Sequence, residues 1–197
     1  MIRRAQAALL FVAVTVPAPV LVASCGDGTS SWSDADRAFV AQLIPHHHLG
    51  MTLTDLAAQR SADVRLRRLV FEMSGYHRGE LGVLEDWARS RNITGSTSFP
   101  GDIAASEIDE LVGSTGSDFD RYWLDVMIRH HEGALDIAAA QLASGTVAEA
   151  SELAHAVTRV QSAEIETMER LLRDLCSGVD GSGSIDHCGD GALRPQA

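Results

Sequence analysis

The sequence contains no lysine, and all 16 of its basic residues are arginine, set against 27 acidic residues. The formal net charge is therefore -11. A surface this acidic argues against binding to nucleic acid and against electrostatic docking on anionic lipid. Aromatic residues are also scarce, at 5%. The abundance of alanine and leucine favours helix over strand.

Familiar catalytic motifs are missing as well. The sequence shows no Ser/His/Asp set, no nucleophilic cysteine and no phosphate-binding loop. Any catalysis would therefore have to be based on a metal ion. The sequence favours a binding protein over an enzyme without deciding between them.

The segment 1–24 has the pattern of an export signal. Arg3 and Arg4 precede an apolar run that ends in Val-Ala-Ser-Cys at 22–25. This ending resembles the lipobox of bacterial lipoproteins, in which Cys25 would become the lipidated first residue of the mature protein. We expect a lipoprotein anchored on the outer side of the bacterial cytoplasmic membrane. A plain secretory signal and an uncleaved anchor are the alternatives.

Only two other cysteines occur. Cys176 lies just before the Gly- and Ser-rich tail at 177–197, and Cys188 lies within it. In an oxidising compartment a disulfide between them is the default expectation. It would pin the tail near the end of the last helix. The alternative is a metal cluster that includes His187, although its spacing matches no standard zinc pattern.

Apolar residues recur at helical spacing in four long stretches, and no useful period-two alternation follows the leader. After a linker at 25–32, we predict one all-α domain at 33–176, a four-helix bundle of two antiparallel hairpins. The helices are expected from Ser33 to about Gln59, from 61–63 to about Arg91, from Asp118 to Gly145, and from a capping box at 146–149 to about Leu175. A short helix at 106–112 is expected within the linker 92–117.

Two features of these helices are unusual. Pro45 lies inside the first helix, where the missing backbone donor predicts a kink. The second helix carries Gly75, Gly79 and Gly82, each of which costs about 1 kcal/mol relative to alanine. Such a cost suggests that another helix approaches closely.

The domain is an internal duplication, because a shift of 84 residues brings 37–91 onto 121–175. The paired positions include His46 with His130, His47 with His131, and Glu80 with Glu164. A histidine kept only for packing would usually be replaced in one copy. We expect a pseudo-twofold bundle in which the first long helix meets the third and the four imidazoles converge. Adjacent helix residues point about 100° apart, so one member of each histidine pair can face the bundle axis.

All four helices carry side chains that could bind a metal at comparable depth. The predicted ligands are His46, His47, His77, His130, His131, Met51, Met127 and Met168. Glu80, Glu164 and Gln161 are predicted as further ligands or as groups that orient the histidines. Each methionine taken alone also fits ordinary core packing. Imidazole with thioether suits copper, particularly Cu(I), whereas imidazole with carboxylate would suit zinc or iron.

These motifs resemble those of the DUF305 family. The segments 43–47 and 127–134 look like its paired M-I-P-H-H-x-x-A motifs, 119–124 is similar to its FDRxFL lead-in, and 161–168 resembles its Q-x-x-E-I-x-x-M signature. The resemblance covers roughly 34–175. It implies an exported, ferritin-like four-helix bundle, with several members tied to copper binding and copper tolerance.

The chain also departs from the family pattern, because Leu53 and Ile137 stand where the family often has methionine. We predict an extracytoplasmic metal-binding lipoprotein that sequesters or hands over copper through His and Met ligands. The alternatives are zinc or iron as the metal, and a metal-free structural or interaction module of the cell envelope. The sequence leaves open an envelope protein partner or a second copy of the chain.

Overall fold

The computed structural model describes residues 31–177 and Cys188. Its helices are α1 (Asp34–Arg60), α2 (Val64–Arg91), the short α3 (Ala105–Gly113), α4 (Gly116–Ser144) and α5 (Ala148–Ser177). No strand occurs among the described residues, and the all-α prediction is confirmed. The signal segment, the lipidation site at Cys25 and most of the tail lie outside the described residues, so the expectations for them stay predictions.

The helix ends lie within a few residues of their predicted positions. Ser33 caps α1 as expected, since its hydroxyl accepts the backbone N–H of Asp36 and the Asp36 carboxylate accepts the Ser33 N–H at 2.8 Å. The start of α5 differs from the prediction. The Thr146 N–H, which a capping box would give to Glu149, donates instead to Asp36 at 3.1 Å. The reason is tertiary, because the first turn of α1 packs beside the turn between α4 and α5.

The four long helices form two hairpins, α1 with α2 and α4 with α5, and these hairpins are the two sequence repeats. α1 packs against α4, as the duplication predicts, while α2 and α5 touch more loosely. Asp36 near the start of α1 bonds to Gln141 near the end of α4 at 2.7 Å. The two helices are therefore antiparallel, which is the arrangement that a pseudo-twofold axis perpendicular to them produces.

The core consists of two apolar clusters with a polar layer between them. One cluster is built around Phe119 and Trp123, and the other around Phe39 and Leu43. Along each long helix, one cluster occupies one end and the other cluster the other end. The buried histidines lie between the two clusters along the helices. A hydrophobic cluster therefore covers the histidine layer on either side along the bundle axis.

The prediction that the α2 glycines serve close helix packing was wrong. A Cβ built on Gly75, Gly79 or Gly82 would meet no atom within 4 Å, so all three face open space. Close approach occurs instead at Gly133 of α4, where a Cβ would overlap the backbone of Gly101. Gly101 has a φ of 76°, which favours glycine. The loop that follows α2 can therefore lie directly on α4.

The predicted disulfide between Cys176 and Cys188 is present, with Cα atoms 5.7 Å apart. Two sulfurs joined in this way are not free thiolates, so they cannot serve the alternative metal cluster in the tail. Within the described residues, no helix is both long enough and apolar enough to cross a membrane.

Candidate metal centre

Five histidines occupy the polar layer between the two apolar clusters. They are His46 and His47 from α1, His77 from α2, and His130 and His131 from α4, and none is more than 1% exposed. Helix geometry alone lets one member of each pair face the bundle axis. The structure buries both members, because one faces the other hairpin and its neighbour faces the returning helix of its own hairpin.

The duplication is visible in the hydrogen bonds of the layer. Nε2 of His47 lies 2.7 Å from a carboxylate oxygen of Glu80 on α2. Nε2 of His131 lies 2.9 Å from the equivalent oxygen of Glu164 on α5. Each bond spans 33 residues within one repeat. In this arrangement the two carboxylates orient the imidazole rings, which is one of the two roles expected of them.

His46 and His130 meet where the two repeats face each other. Their ring centroids are 3.8 Å apart and the ring planes are inclined by 16°. Nε2–H of His46 donates to the carbonyl oxygen of His130 at 2.9 Å, and Nδ1–H of His130 donates to that of Gly101 at 2.8 Å. A carbonyl oxygen can only accept, so these bonds fix both tautomers. The opposite ring nitrogen of each neutral histidine carries a lone pair.

Several polar atoms of the layer have no hydrogen-bond partner in the protein. They are Nδ1 of His46, His47 and His131, Nε2 of His130, and both ring nitrogens of His77. Gln161, at the α5 position equivalent to His77, also has an unpartnered side-chain oxygen and nitrogen. Each such group costs about 1–3 kcal/mol, and native proteins keep few of them. Water or a bound ligand would have to supply the missing partners in this layer.

Burial keeps the rings of His46, His77, His130 and His131 neutral. It lowers the pKa of His46 and His77 well below the usual value, and the charge of neighbouring histidines lowers both further. Burial likewise lowers the pKa of His130 and of His131 to about 3, with charge effects from the neighbouring histidines next. At neutral pH these four imidazoles are therefore in the deprotonated state that metal binding requires.

The carboxylates of the layer face a common region. Burial first, and then the negative charges of Glu80 and Glu72, raise the pKa of Glu164 to about 7. This repulsion indicates that the carboxylates interact electrostatically across the gap between α2 and α5. A cation held in the layer would relieve this repulsion.

The rings are close together without forming a ready-made coordination site. The ring centroid of His77 lies 4.9 Å from that of His47 and 5.8 Å from that of His131. In the part of the chain that the structure describes, no three His, Cys, Asp or Glu side chains are arranged to hold one ion. Binding a metal here therefore requires the rings to rotate about their side-chain torsions.

The predicted methionine ligands occupy different surroundings from the histidines. Met127 and Met168 are fully buried, but they belong to the apolar cluster around Trp123. Met51 is half-buried on α1. The structure thus brings the histidines together with Glu80 and Glu164, and it places two of the three methionines in the adjoining core.

Sequence reasoning missed three residues that shape the layer. A Cβ on Gly50 would lie 2.9 Å from Nδ1 of His77 and 3.1 Å from Nε2 of His130, so glycine leaves room for both rings. Phe99 packs edge-on against His46 with centroids 5.7 Å apart, and Gly101 accepts the bond from His130. The position of Gly50, one turn after His46, was the one available signal.

Comparison with known proteins gives a family and a fold. Residues 36–172 match the model of the family described as a domain of unknown function, DUF305. No curated protein matches the chain. A DUF305 protein from Streptomyces coelicolor, described as secreted, is 23% identical with a TM-score of 0.68, covering 76% of this chain and 98% of that one. A DUF305 fragment from Deinococcus radiodurans is 24% identical with a TM-score of 0.67, covering 73% and 98%.

CopM in its Cu(I)-bound form is also similar, at 22% identity and a TM-score of 0.63, covering 71% of this chain and 96% of that one. Its Cu(II)-bound, Ag-bound and apo forms match as well. At these identities the structural likeness establishes the fold alone. Because the family model matches well over half of the sequence, the chain belongs to the DUF305 family.

Proposed function

We propose that the protein binds copper, as Cu(I), at the layer of buried histidines, and that it holds the ion or hands it on at the cell surface. One observation carries this proposal: six ring nitrogens of five buried histidines have no hydrogen-bond partner in the protein. A metal ion is the ligand that a set of neutral imidazole nitrogens suits best.

The similarity to known proteins is what favours copper over zinc or iron. Imidazole nitrogens suit all three metals, and a carboxylate that holds a histidine, as Glu80 and Glu164 do, also occurs at zinc sites. Soft sulfur ligands would select Cu(I), but Met127 and Met168 lie in the adjoining apolar cluster rather than in the layer. The similarity to CopM, which was solved with Cu(I), Cu(II) and Ag, supports the same choice.

The proposed place of action is the outer side of the cytoplasmic membrane, with Cys25 as the lipidated residue. The disulfide between Cys176 and Cys188 suits an oxidising compartment outside the cytoplasm. The description of the Streptomyces coelicolor relative as secreted is in keeping with export.

The competing function is a metal-free structural module. The hydrogen bonds from His47 to Glu80 and from His131 to Glu164 are what a structural polar network would contain. His77 and Gln161 argue against it, because a network built for structure would satisfy its buried members. The other four histidines each have one bonded ring nitrogen and one without a partner in the protein.

The first prediction concerns a double variant, His47→Ala with His131→Ala. It removes two of the free nitrogens, so we expect the dissociation constant for Cu(I) to rise by about a hundredfold, equivalent to about 2.8 kcal/mol. The measurement is an anaerobic competition titration against a Cu(I) chelator of known affinity, with the full mature chain.

The matched control replaces His48 and His155, which are both exposed on the same helical scaffold. This control should bind Cu(I) as the wild type does. Equal affinity of the two double variants would refute the proposed site. Metal analysis of protein purified from its native envelope then separates copper from zinc and iron.

A further inference from the structure

A groove of about 340 Å³ runs between α2 and α5, the neighbouring long helices that touch most loosely. Its walls carry Glu72 and Tyr76 from α2, and Arg159, Ala163 and Glu164 from α5. The first four of these residues are exposed, whereas Glu164 is only 8% exposed. The groove therefore leads from solvent down to a buried carboxylate.

That carboxylate also belongs to the histidine layer. Glu164 accepts the hydrogen bond from Nε2 of His131 at 2.9 Å. His131 is fully buried, and its ring centroid lies 5.8 Å from that of His77. The floor of the groove thus contacts one of the five histidines of the layer directly.

The other approaches to the layer that the structure describes are covered by protein. Phe99 packs on His46, and the backbone of Gly101 lies over His130. The backbone of Gly50 on α1 lies against His77. The two apolar clusters close the layer along the bundle axis. Among the described residues, the groove between α2 and α5 is a path inward that these groups leave open.

The groove carries charges of both signs. Glu72 stands in its exposed part and Glu164 at its buried end, while Arg159 is the one basic residue in its lining. As the exposed carboxylate, Glu72 can attract a cation and speed its arrival.

We propose that a copper ion enters and leaves the histidine layer through this groove, past Glu72 in its wall and then past Glu164 at its floor. The inference rests on the proposed function, because it presupposes that the layer binds the ion. It adds a defined route and one acidic residue, Glu72, that acts on the rate of exchange rather than on the final affinity.

The test fills the groove with Ala163→Trp. Ala163 is exposed, so the indole has room to lie across the groove without entering the core. Cu(I) stabilised by acetonitrile is mixed anaerobically with the full mature chain. Bathocuproine disulfonate is added at timed intervals and measures the Cu(I) that the protein has not yet taken up. We expect uptake to slow by about tenfold or more at an unchanged dissociation constant, since the barrier changes and the site does not.

The matched control is Ala140→Trp, which places the same side chain at an exposed alanine of α4, outside the groove lining. Its uptake should equal that of the wild type. Uptake by Ala163→Trp at the wild-type rate would overturn the route while leaving the copper site intact. A wild-type chain that binds no Cu(I) would overturn both the route and the proposed function.

A second variant keeps the test decisive if Ala163→Trp does not fold. Glu72→Gln should slow uptake several-fold at low ionic strength, and the difference should vanish near 1 M salt, where charges are screened within about 3 Å. Glu152→Gln makes the same change at an exposed glutamate of α5 outside the groove lining, and should have no effect. Equal rates for the two glutamine variants at low salt would contradict the proposed route.

Discussion

His77 shows at the residue scale how this bundle differs from one built only for stability. Its side chain is 1% exposed, and neither ring nitrogen has a partner in the protein. The equivalent position in the second repeat holds Gln161, which is buried and unpartnered in the same way. A leucine at either position would cost nothing in desolvation. We infer that these residues lower the stability of the metal-free protein in exchange for binding.

Replacing His77 by leucine should therefore stabilise the metal-free protein, by about 1–3 kcal/mol at pH 7.5. The gain should be larger at pH 5. The native ring stays neutral because its pKa is far below the usual value, whereas in the unfolded chain it takes up a proton below about pH 6.5. The unfolded state then binds more protons, so wild-type stability falls as the pH falls.

Urea unfolding of both proteins at the two pH values measures this effect. His155→Leu, at an exposed position of α5, is the control and should leave the difference between the two pH values unchanged. Glu164, whose pKa is raised, acts with the opposite sign between about pH 4.5 and 7. It is present in every variant and cancels from the comparison. A less stable His77→Leu protein at both pH values would contradict the prediction.

Two aspartates tie the hairpins together at the element scale. Asp36 of α1 accepts hydrogen bonds from Gln141 at 2.7 Å and from the backbone of Thr146 and Val147, at the turn between α4 and α5. Its equivalent in the second repeat is Asp120 of α4, which is bonded to Ser61 at the turn between α1 and α2. The first helix of each hairpin thus secures the returning helix of the other.

Asp36 should be important for stability as a carboxylate. Burial alone would raise its pKa, but the hydrogen bonds from Gln141, Ser33 and Thr146 outweigh this effect and lower it. Asp36→Asn should therefore cost about 1–3 kcal/mol at pH 7. Since the folded pKa is the lower one, the contribution of Asp36 is present above about pH 4 and fades as the pH falls further.

Thermal or urea unfolding at pH 7 and pH 3 measures the cost, which should shrink at the lower pH. Asp34→Asn, an exposed change in the same first turn of α1, should have little effect at either pH. Equal stabilities of the two variants at pH 7 would show that the tie between the hairpins contributes nothing.

Much of the whole molecule could be predicted from the duplication. The offset of 84 residues pairs His47 with His131 and Glu80 with Glu164, and the structure bonds each histidine to its own glutamate. The same offset pairs Asp36 with Asp120, one residue before the first pair that we matched. The hydrogen bonds of these two aspartates between the hairpins could therefore have been predicted. Helix spacing was sufficient for the element order.

Other features depend on packing that no local pattern encodes. Which ring nitrogens stay free follows from where Gly101 and the two glutamates come to lie. The groove follows from the loose contact between α2 and α5. The methionines at helical spacing fitted ligands and core equally well, and only the tertiary structure places Met127 and Met168 among apolar neighbours. The outward direction of the α2 glycines likewise required the assembled bundle.

The molecule as a whole is a bundle whose two apolar clusters hold a layer of unsatisfied imidazoles. The most direct test is diffraction at the copper absorption edge from crystals of the Cu(I)-loaded protein. The predicted result is an anomalous peak within the layer, bonded to at least two of the nitrogens that are free in the structure described here, with Nε2 of His47 and of His131 still held by their glutamates. A peak at the exposed His48 or elsewhere on the surface, with the layer unchanged, would contradict it.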